Sequence, residues 1–175
     1  AIRPHCAELP AIVATTDNGG STGKLRNSQD VVALGDIRRC CLQLADNDSL
    51  IHQVFHHRFN GGELDGHSLG NLALLSLTQQ TNSATQAVAW FNAMLGNSET
   101  ILPMSDEPTD LLAVLPSGLK VFGECEIDSL AELPDYVTLS QNVNAAPGVI
   151  QAIENADMLI IGPGSLITSV MPAML

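Results

Sequence analysis

Apolar and polar positions fall in blocks whose periods predict alternating strands and helices. Pro10-Ala11-Ile12-Val13-Ala14 is a short apolar run with a β-branched centre. The Asp-Asn-Gly-Gly after it marks a turn, which predicts a buried strand over 10–16 with Asp17 at its carboxyl end. A helix is expected from about Thr22. Another, opened by Gly35-Asp36 with Asp36 as N-cap, would place Ile37, Cys40, Cys41 and Leu44 on one face. Ser49 is the expected cap of a helix carrying Val54, Phe55 and Arg58. Gly61-Gly62 breaks the chain, and Gly66 to Leu72 leads into a helix so apolar through Ala73, Leu74, Leu75 and Leu77 that burial on most sides is expected. Ala84 to Leu95 carries the helical stripe Ala87, Val88, Phe91, Met94 and Leu95. Strands are expected over 100–104, 111–115 and 119–122, the last two as a hairpin around Pro116-Ser117-Gly118, and again over 136–139. Pro147 suits the first turn of a helix through Val149, Ile150, Ile153 and Ala156. A last, fully apolar strand is expected over Asp157-Met158-Leu159-Ile160-Ile161, running into Gly162-Pro163-Gly164-Ser165. Residues 27–34 support no assignment.

This order of elements directs attention to Thr15–Arg26, T-T-D-N-G-G-S-T-G-K-L-R. In an open α/β sheet the carboxyl ends of the strands form the crevice that ligands enter. Gly19, Gly20 and Gly23 let backbone N–H groups approach an anion closely. A helix starting there would add its positive end, and Lys24 and Arg26 would add full charges. The spacing is neither the G-x-x-x-x-G-K-[ST] loop nor the G-x-G-x-x-G fingerprint, and an ordinary surface turn is the competing reading. The strand, glycine turn and hydroxyl-bearing helix start recur at 157–169, and two such turns side by side would make a hollow for a phosphorylated ligand. His67, Ser68 and Asn71 crowd the start of the apolar helix, either as a second anion or ribose site or to satisfy neighbouring loops. His52 and His56 have the i, i+4 spacing of helical metal ligands. No acidic third ligand follows them at a helical interval, so a solvated or packed histidine face competes.

With 175 residues the chain is read as one domain, residues 1–175, able to bury a sizeable core; 45% apolar but only 3% aromatic residues make that core aliphatic. A net charge of −12 argues against a nucleic-acid partner or an anionic membrane surface, which both need a basic face. Five of the seven cations, Lys24, Arg26, Arg38, Arg39 and Arg58, nevertheless fall between positions 24 and 58. Arg38 and Arg39 would stand in the first turn of their helix, where they oppose its dipole and call for an anion or a carboxylate. Cys6, Cys40, Cys41 and Cys125 have no zinc or redox spacing and read as reduced thiols. No run of 18 apolar residues and no basic head with an apolar signal core occur, so a soluble cytoplasmic chain is expected.

Taken together, T-T-D-N-G-G-S-T-G-K-L-R (15–26), G-D-I-R (35–38), G-H-S-L-G-N-L (66–72) and I-G-P-G-S-L-I-T-S-V-M-P (161–172) resemble the gluconeogenesis factor family, relatives of the 2-phospho-L-lactate transferases of deazaflavin cofactor synthesis. The resemblance spans nearly the whole chain. It implies an α/β fold, a Rossmann-like three-layer sandwich with a mostly parallel sheet and a β-hairpin insertion. It also implies a cytoplasmic location and a nucleotide-containing ligand. In the gluconeogenesis branch that ligand is UDP-N-acetylglucosamine, and the implied role is growth on gluconeogenic carbon sources and cell-shape control. The ligand residues it carries over are Asp17, Asn18, Gly19, Gly20 and Ser21 of the first turn, Arg38, His67 and Asn71, and Gly162, Gly164 and Ser165 of the second turn. The transferase branch moves a phospholactyl group from a guanosine diphosphate carrier with a divalent metal. Asn18 stands where those relatives often have a second acid, which leaves one carboxylate fewer for Mg²⁺. The family's opening strand and Gly-rich turn have no match in this sequence.

Three readings follow. The first is a regulatory nucleotide-sugar binder, expected as a homo-oligomer without a nucleic-acid or membrane partner and with no cofactor assigned. It is motivated by anion-receptive turns that lack an evident nucleophile and base pair, although His67 could reach Ser21 or Ser165 in space. The second is a phosphotransferase with Asp17 holding Mg²⁺ and His67 or Asp36 as general base. The third is an interaction module that works through its acidic surface.

Overall fold

The computed structural model describes residues 3–175. It has an α/β architecture, with a parallel pair of strands, seven α-helices and a separate antiparallel sheet. The elements run β1 (Ala11–Val13), α1 (Gly20–Ser28), α2 (Gly35–Leu44), α3 (Leu50–His56), α4 (Leu69–Thr81), α5 (Ala84–Met94), β2 (Ile101–Pro103), β3 (Leu111–Val114), β4 (Lys120–Phe122), α6 (Glu124–Asp128), β5 (Tyr136–Leu139) and α7 (Val149–Glu154). Two short helical turns, Leu166–Val170 and Met171–Met174, close the chain.

β1 and β2 pair in parallel with Ile12 opposite Leu102, and the five helices between them form the crossover. β3 is the centre of the second sheet. It pairs antiparallel with β4 through the expected hairpin, Ala113 opposite Val121, and with β5, Ala113 opposite Val137. Hydrophobic burial divides accordingly. Ile37 and Cys41 of α2, Leu74 of α4 and Val88 and Phe91 of α5 are all fully buried in the main core beside the parallel pair. Phe55 joins them by stacking on Phe91 at 4.6 Å. Leu111, Ala113, Ile127 and Val137 form the core of the antiparallel unit, which ties α6 to its sheet.

Several expectations change on contact with the structure. Asp36 lies inside the first turn of α2 rather than at its N-cap, which is Leu34, and its carboxylate accepts from Arg39. α4 packs against α2, α3 and α5 and is buried through Gly70, Asn71 and Leu74, but is only partly covered elsewhere. Met94 of the α5 stripe is exposed. Pro147 lies before α7 rather than in its first turn, Gly148 is the cap, and the inward face carries Val149 and Ala152 while Ile150 and Ile153 face out.

The largest difference is at 157–161, which forms no strand. Met158, Leu159, Ile160 and Ile161 are exposed, between 60% and 76%. Apolar residues make a strand only when a neighbouring strand satisfies their N–H and C=O groups, and no described strand pairs with this segment.

Candidate functional site

Three helix amino ends meet at the carboxyl end of β1. α1 starts at Gly20, two residues before the expected position, with Gly19 as cap. The N–H groups of Gly20, Ser21 and Thr22 meet no acceptor among the described residues. Gly20 takes the left-handed φ of +49°, which releases the chain from the strand into the helix without a Cβ penalty. α2 abuts the same turn: a Cβ on Gly35 would lie 3.4 Å from Asp17 Oδ2 and inside the contact distance of Thr22 Oγ1. α4 completes the group. Its cap Ser68 accepts from Asn71 N at 3.1 Å, and Asn71 Nδ2 donates to Ser21 Oγ at 3.1 Å. His67 Nδ1 lies 3.2 Å from the same hydroxyl.

Ser21, His67 and Asn71, 46 and 50 residues apart in the chain, therefore form one hydrogen-bonded cluster. Thr15 Oγ1, Thr16 Oγ1 and Asn71 Oδ1 are buried without partners. Buried polar atoms are nearly always paired with protein, water or ligand, so their concentration beside unfilled amides makes this corner receptive to a polar ligand. Its field is mixed, since three positive helix ends surround the carboxylate of Asp17, whose Oδ1 accepts from Gly19 N at 2.8 Å.

The antiparallel unit reaches this corner through α6. Asn18 Nδ2 donates to Glu126 Oε2 at 2.9 Å, and Asn18 Oδ1 accepts from Cys125 N at 2.9 Å. α6 also holds the second glycine turn: Thr168 Oγ1 donates to Asp128 Oδ1 at 2.8 Å, and Ser165 caps the turn that follows by accepting from Thr168 N. The two turns are thus joined through α6, with no hydrogen bond directly between them among the described residues. Gly162, Gly164 and Ser165 are exposed. A hollow of about 490 Å³ beside the first turn takes in Asn18, Gly23, Asp30, Asp110, Phe122 and Glu126, and none of the second-turn glycines.

Glu124 joins this corner without a motif in the sequence to announce it. Burial first, then repulsion from Asp17 and Asp128, pushes its carboxyl up to about 7, so the group can exchange a proton near neutrality in the field of Asp17. A glycine followed by Glu-Cys-Glu was the available signal, since acids favour a helix's first turn.

Arg26 is committed elsewhere. It donates to the carbonyls of Thr16, Asp17, Val31 and Thr109 and pairs with Asp110 at 2.8 Å, so it braces the turn from behind. Lys24 reaches Asp65 O at 3.1 Å. Arg38 makes no hydrogen bond to the Ser21 cluster, although its stem packs on Gly70 next to Asn71, and it lines a hollow with residues 47–58; desolvation, then the neighbouring Arg58, lowers its basicity. His52 and His56 stack at 5.8 Å, and among the described residues no three His, Cys, Asp or Glu side chains gather to hold a metal ion. The Mg²⁺ associated with the transferase branch would find only Asp17 at the first turn, so no chemical step is derived through it.

A glycine turn at a strand's carboxyl end, surrounded by helix amino ends, defines an α/β protein of the Rossmann-like class. The chain belongs to the family described as "2-phospho-L-lactate transferase CofD", matched over residues 1–175. Among curated relatives it is similar to the "Putative gluconeogenesis factor" of Yersinia pestis, 42% identical over 170 residues, covering 97% of this chain and 55% of that protein. It is similar also to the "Gluconeogenesis factor" of Bacillus subtilis (strain 168), 38% identical over 170 residues, covering 96% and 54%. Among solved structures, a UPF0052 family member from Bacillus halodurans superposes with a TM-score of 0.92 at 36% identity, covering 96% of this chain and 55% of that one. The chain therefore spans about half the length of these relatives. No helix among the described residues is long and apolar enough to cross a membrane.

Proposed function

We propose that this chain is the nucleotide-binding part of a gluconeogenesis factor, a cytoplasmic, self-associating regulator of carbon metabolism and cell shape that takes a nucleotide-sugar such as UDP-N-acetylglucosamine. The observation that carries the reading is the convergence of the α1, α2 and α4 amino ends on residues 17–22, with amides and buried hydroxyls awaiting acceptors and donors. The free amides of Gly20, Ser21 and Thr22 suit one phosphate oxygen each, and Asn71 Oδ1 suits a ribose hydroxyl. Asp17, Asn18 and Gly19 shape the turn, His67 fixes Ser21, and Gly162, Gly164 and Ser165 offer further contacts across α6. The names of the relatives support the general role.

Thermal unfolding with UDP-N-acetylglucosamine tests this. A ligand at about 100 times its Kd adds roughly 2.7 kcal/mol to the folded state, or about 5–11 °C for a chain of this size. Asn71→Ala should remove most of the shift. No shift with any uridine nucleotide would overturn the reading.

The family description and the position of Glu124 beside Asp17 favour a second reading, a phosphotransferase acting on a guanosine diphosphate-linked donor. It requires release of guanosine monophosphate from such a donor, dependent on added Mg²⁺ and lost in Glu124→Gln.

A further inference from the structure

A second hollow, of about 570 Å³, lies between α2, α3 and the segment after α3. Its lining is Arg38, Asn47, His52, Gln53, His56, His57 and Arg58, which supplies two guanidinium groups and three imidazoles, and no carboxylate. It shares no lining residue with the hollow beside the first glycine turn.

Arg38 is the decisive side chain. It is 8% exposed, and its Nε is buried with no hydrogen-bond partner. The ion pairs among the described residues are Arg3–Glu99, Arg26–Asp110 and Arg39–Asp36, so no protein carboxylate neutralises it. Its stem is held against α4, where a Cβ on Gly70 would come within 2.7 Å of Arg38 Cδ. His52 Nδ1 is a second buried, unpartnered polar atom in the same lining. Arg58 is exposed at the mouth, and its Nη1 donates to Gly66 O.

A buried guanidinium is normally paired, because an uncompensated charge out of water is costly, and its planar fork of donors matches oxyanions. Two arginines facing one hollow without an acid repel each other until an anion stands between them. An Nδ1–H of His52 would add a neutral donor. Donors and charge fit the same ligand.

We propose that this hollow is a binding site for a phosphate group, either free or as a small phosphomonoester, held by Arg38 and Arg58 with His52. The lining includes none of residues 17–22, His67 or Asn71, and the proposal stands without the nucleotide reading.

Isothermal titration of the 175-residue chain with orthophosphate and with glycerol 3-phosphate tests it. A binding event that depends on Arg58 is expected with either ligand, and a tighter monoester would identify a phosphorylated metabolite rather than free phosphate as the occupant of this hollow. Arg58→Ala and Arg38→Met should each weaken binding at least about tenfold, as the loss of a charge-assisted hydrogen bond does. Asn71→Ala, at the other corner, should leave it unchanged. Arg58 is exposed, so its variant keeps the experiment decisive if Arg38→Met fails to fold. Absence of binding by both ligands, undiminished binding in Arg58→Ala, or loss of binding in Asn71→Ala instead would overturn the proposal.

Discussion

Replacing Gly23 by alanine pits helix propensity against a backbone collision. Gly23 is the fourth residue of α1, where alanine would ordinarily gain about 1 kcal/mol over glycine. Yet a Cβ at this position would stand 2.8 Å from the carbonyl carbon of Asn18 and closer still to its oxygen. These are main-chain atoms of the turn, and Asn18 is fixed on its other side by Cys125 N and Glu126. Relief therefore requires moving the turn and α6 together. Overpacking of this kind costs about 1–3 kcal/mol, and a rigid backbone obstacle belongs at the upper end, so the net loss after the propensity gain is about 1–2 kcal/mol. For a chain of this length that lowers Tm by roughly 2–8 °C. Urea denaturation and thermal unfolding of Gly23→Ala beside Lys24→Ala, an exposed neighbour on the same helix, provide the assay. Equal or greater stability of Gly23→Ala would show that the turn yields without cost and would refute the close packing on which the site geometry rests.

Other outcomes follow from the same contacts. Glu124 titrates higher in the folded than in the unfolded chain, so the folded state binds the extra proton between the ordinary glutamate value and about 7, and stability falls as pH rises through that window. Glu124→Gln should thus be more stable than wild type at pH 8 and no different near pH 4; equal gaps at both, by urea denaturation, would contradict the cause. Arg26→Met leaves four carbonyls short of a donor and should cost about 2–3 kcal/mol, a stability effect that an anion-binding arginine would not show; a neutral result in the same assay would reinstate Arg26 as a ligand group. Amide hydrogen exchange should be fast over 157–161 and slow at Met104, whose N–H donates to Val13 O at the end of the parallel pair, and protection of 157–161 would show that this segment is paired as a strand in solution.

Much of the architecture is legible because it depends on local pattern. The hairpin around Pro116-Ser117-Gly118, the strand Tyr136–Leu139 and the capped helices after Ser49 and Ser68 all follow from turn chemistry and periodicity. The 157–161 segment misleads for the opposite reason, since apolarity without a partner strand does not make a ladder. The site divides in the same way. Its glycine turn is visible as composition, and Ser21, His67 and Asn71 each stand out beside a helix start. Their mutual contact is a property of the packing of α1 on α4. α6 is harder to foresee: it has a single buried apolar residue, Ile127, and its hold on Asn18 spans more than 100 positions. Arg26 reads as a ligand cation until its acceptors, as far away as Thr109, are known.

The central claim is that unfilled amides at the start of α1 receive the ligand's diphosphate. Backbone ¹⁵N–¹H spectra of the chain titrated with UDP-N-acetylglucosamine address it most directly. The account predicts the largest, saturable shifts at Gly20, Ser21 and Thr22, accompanied by the Asn71 side-chain amide. Saturable shifts confined to other parts of the molecule, or none at all, would contradict it.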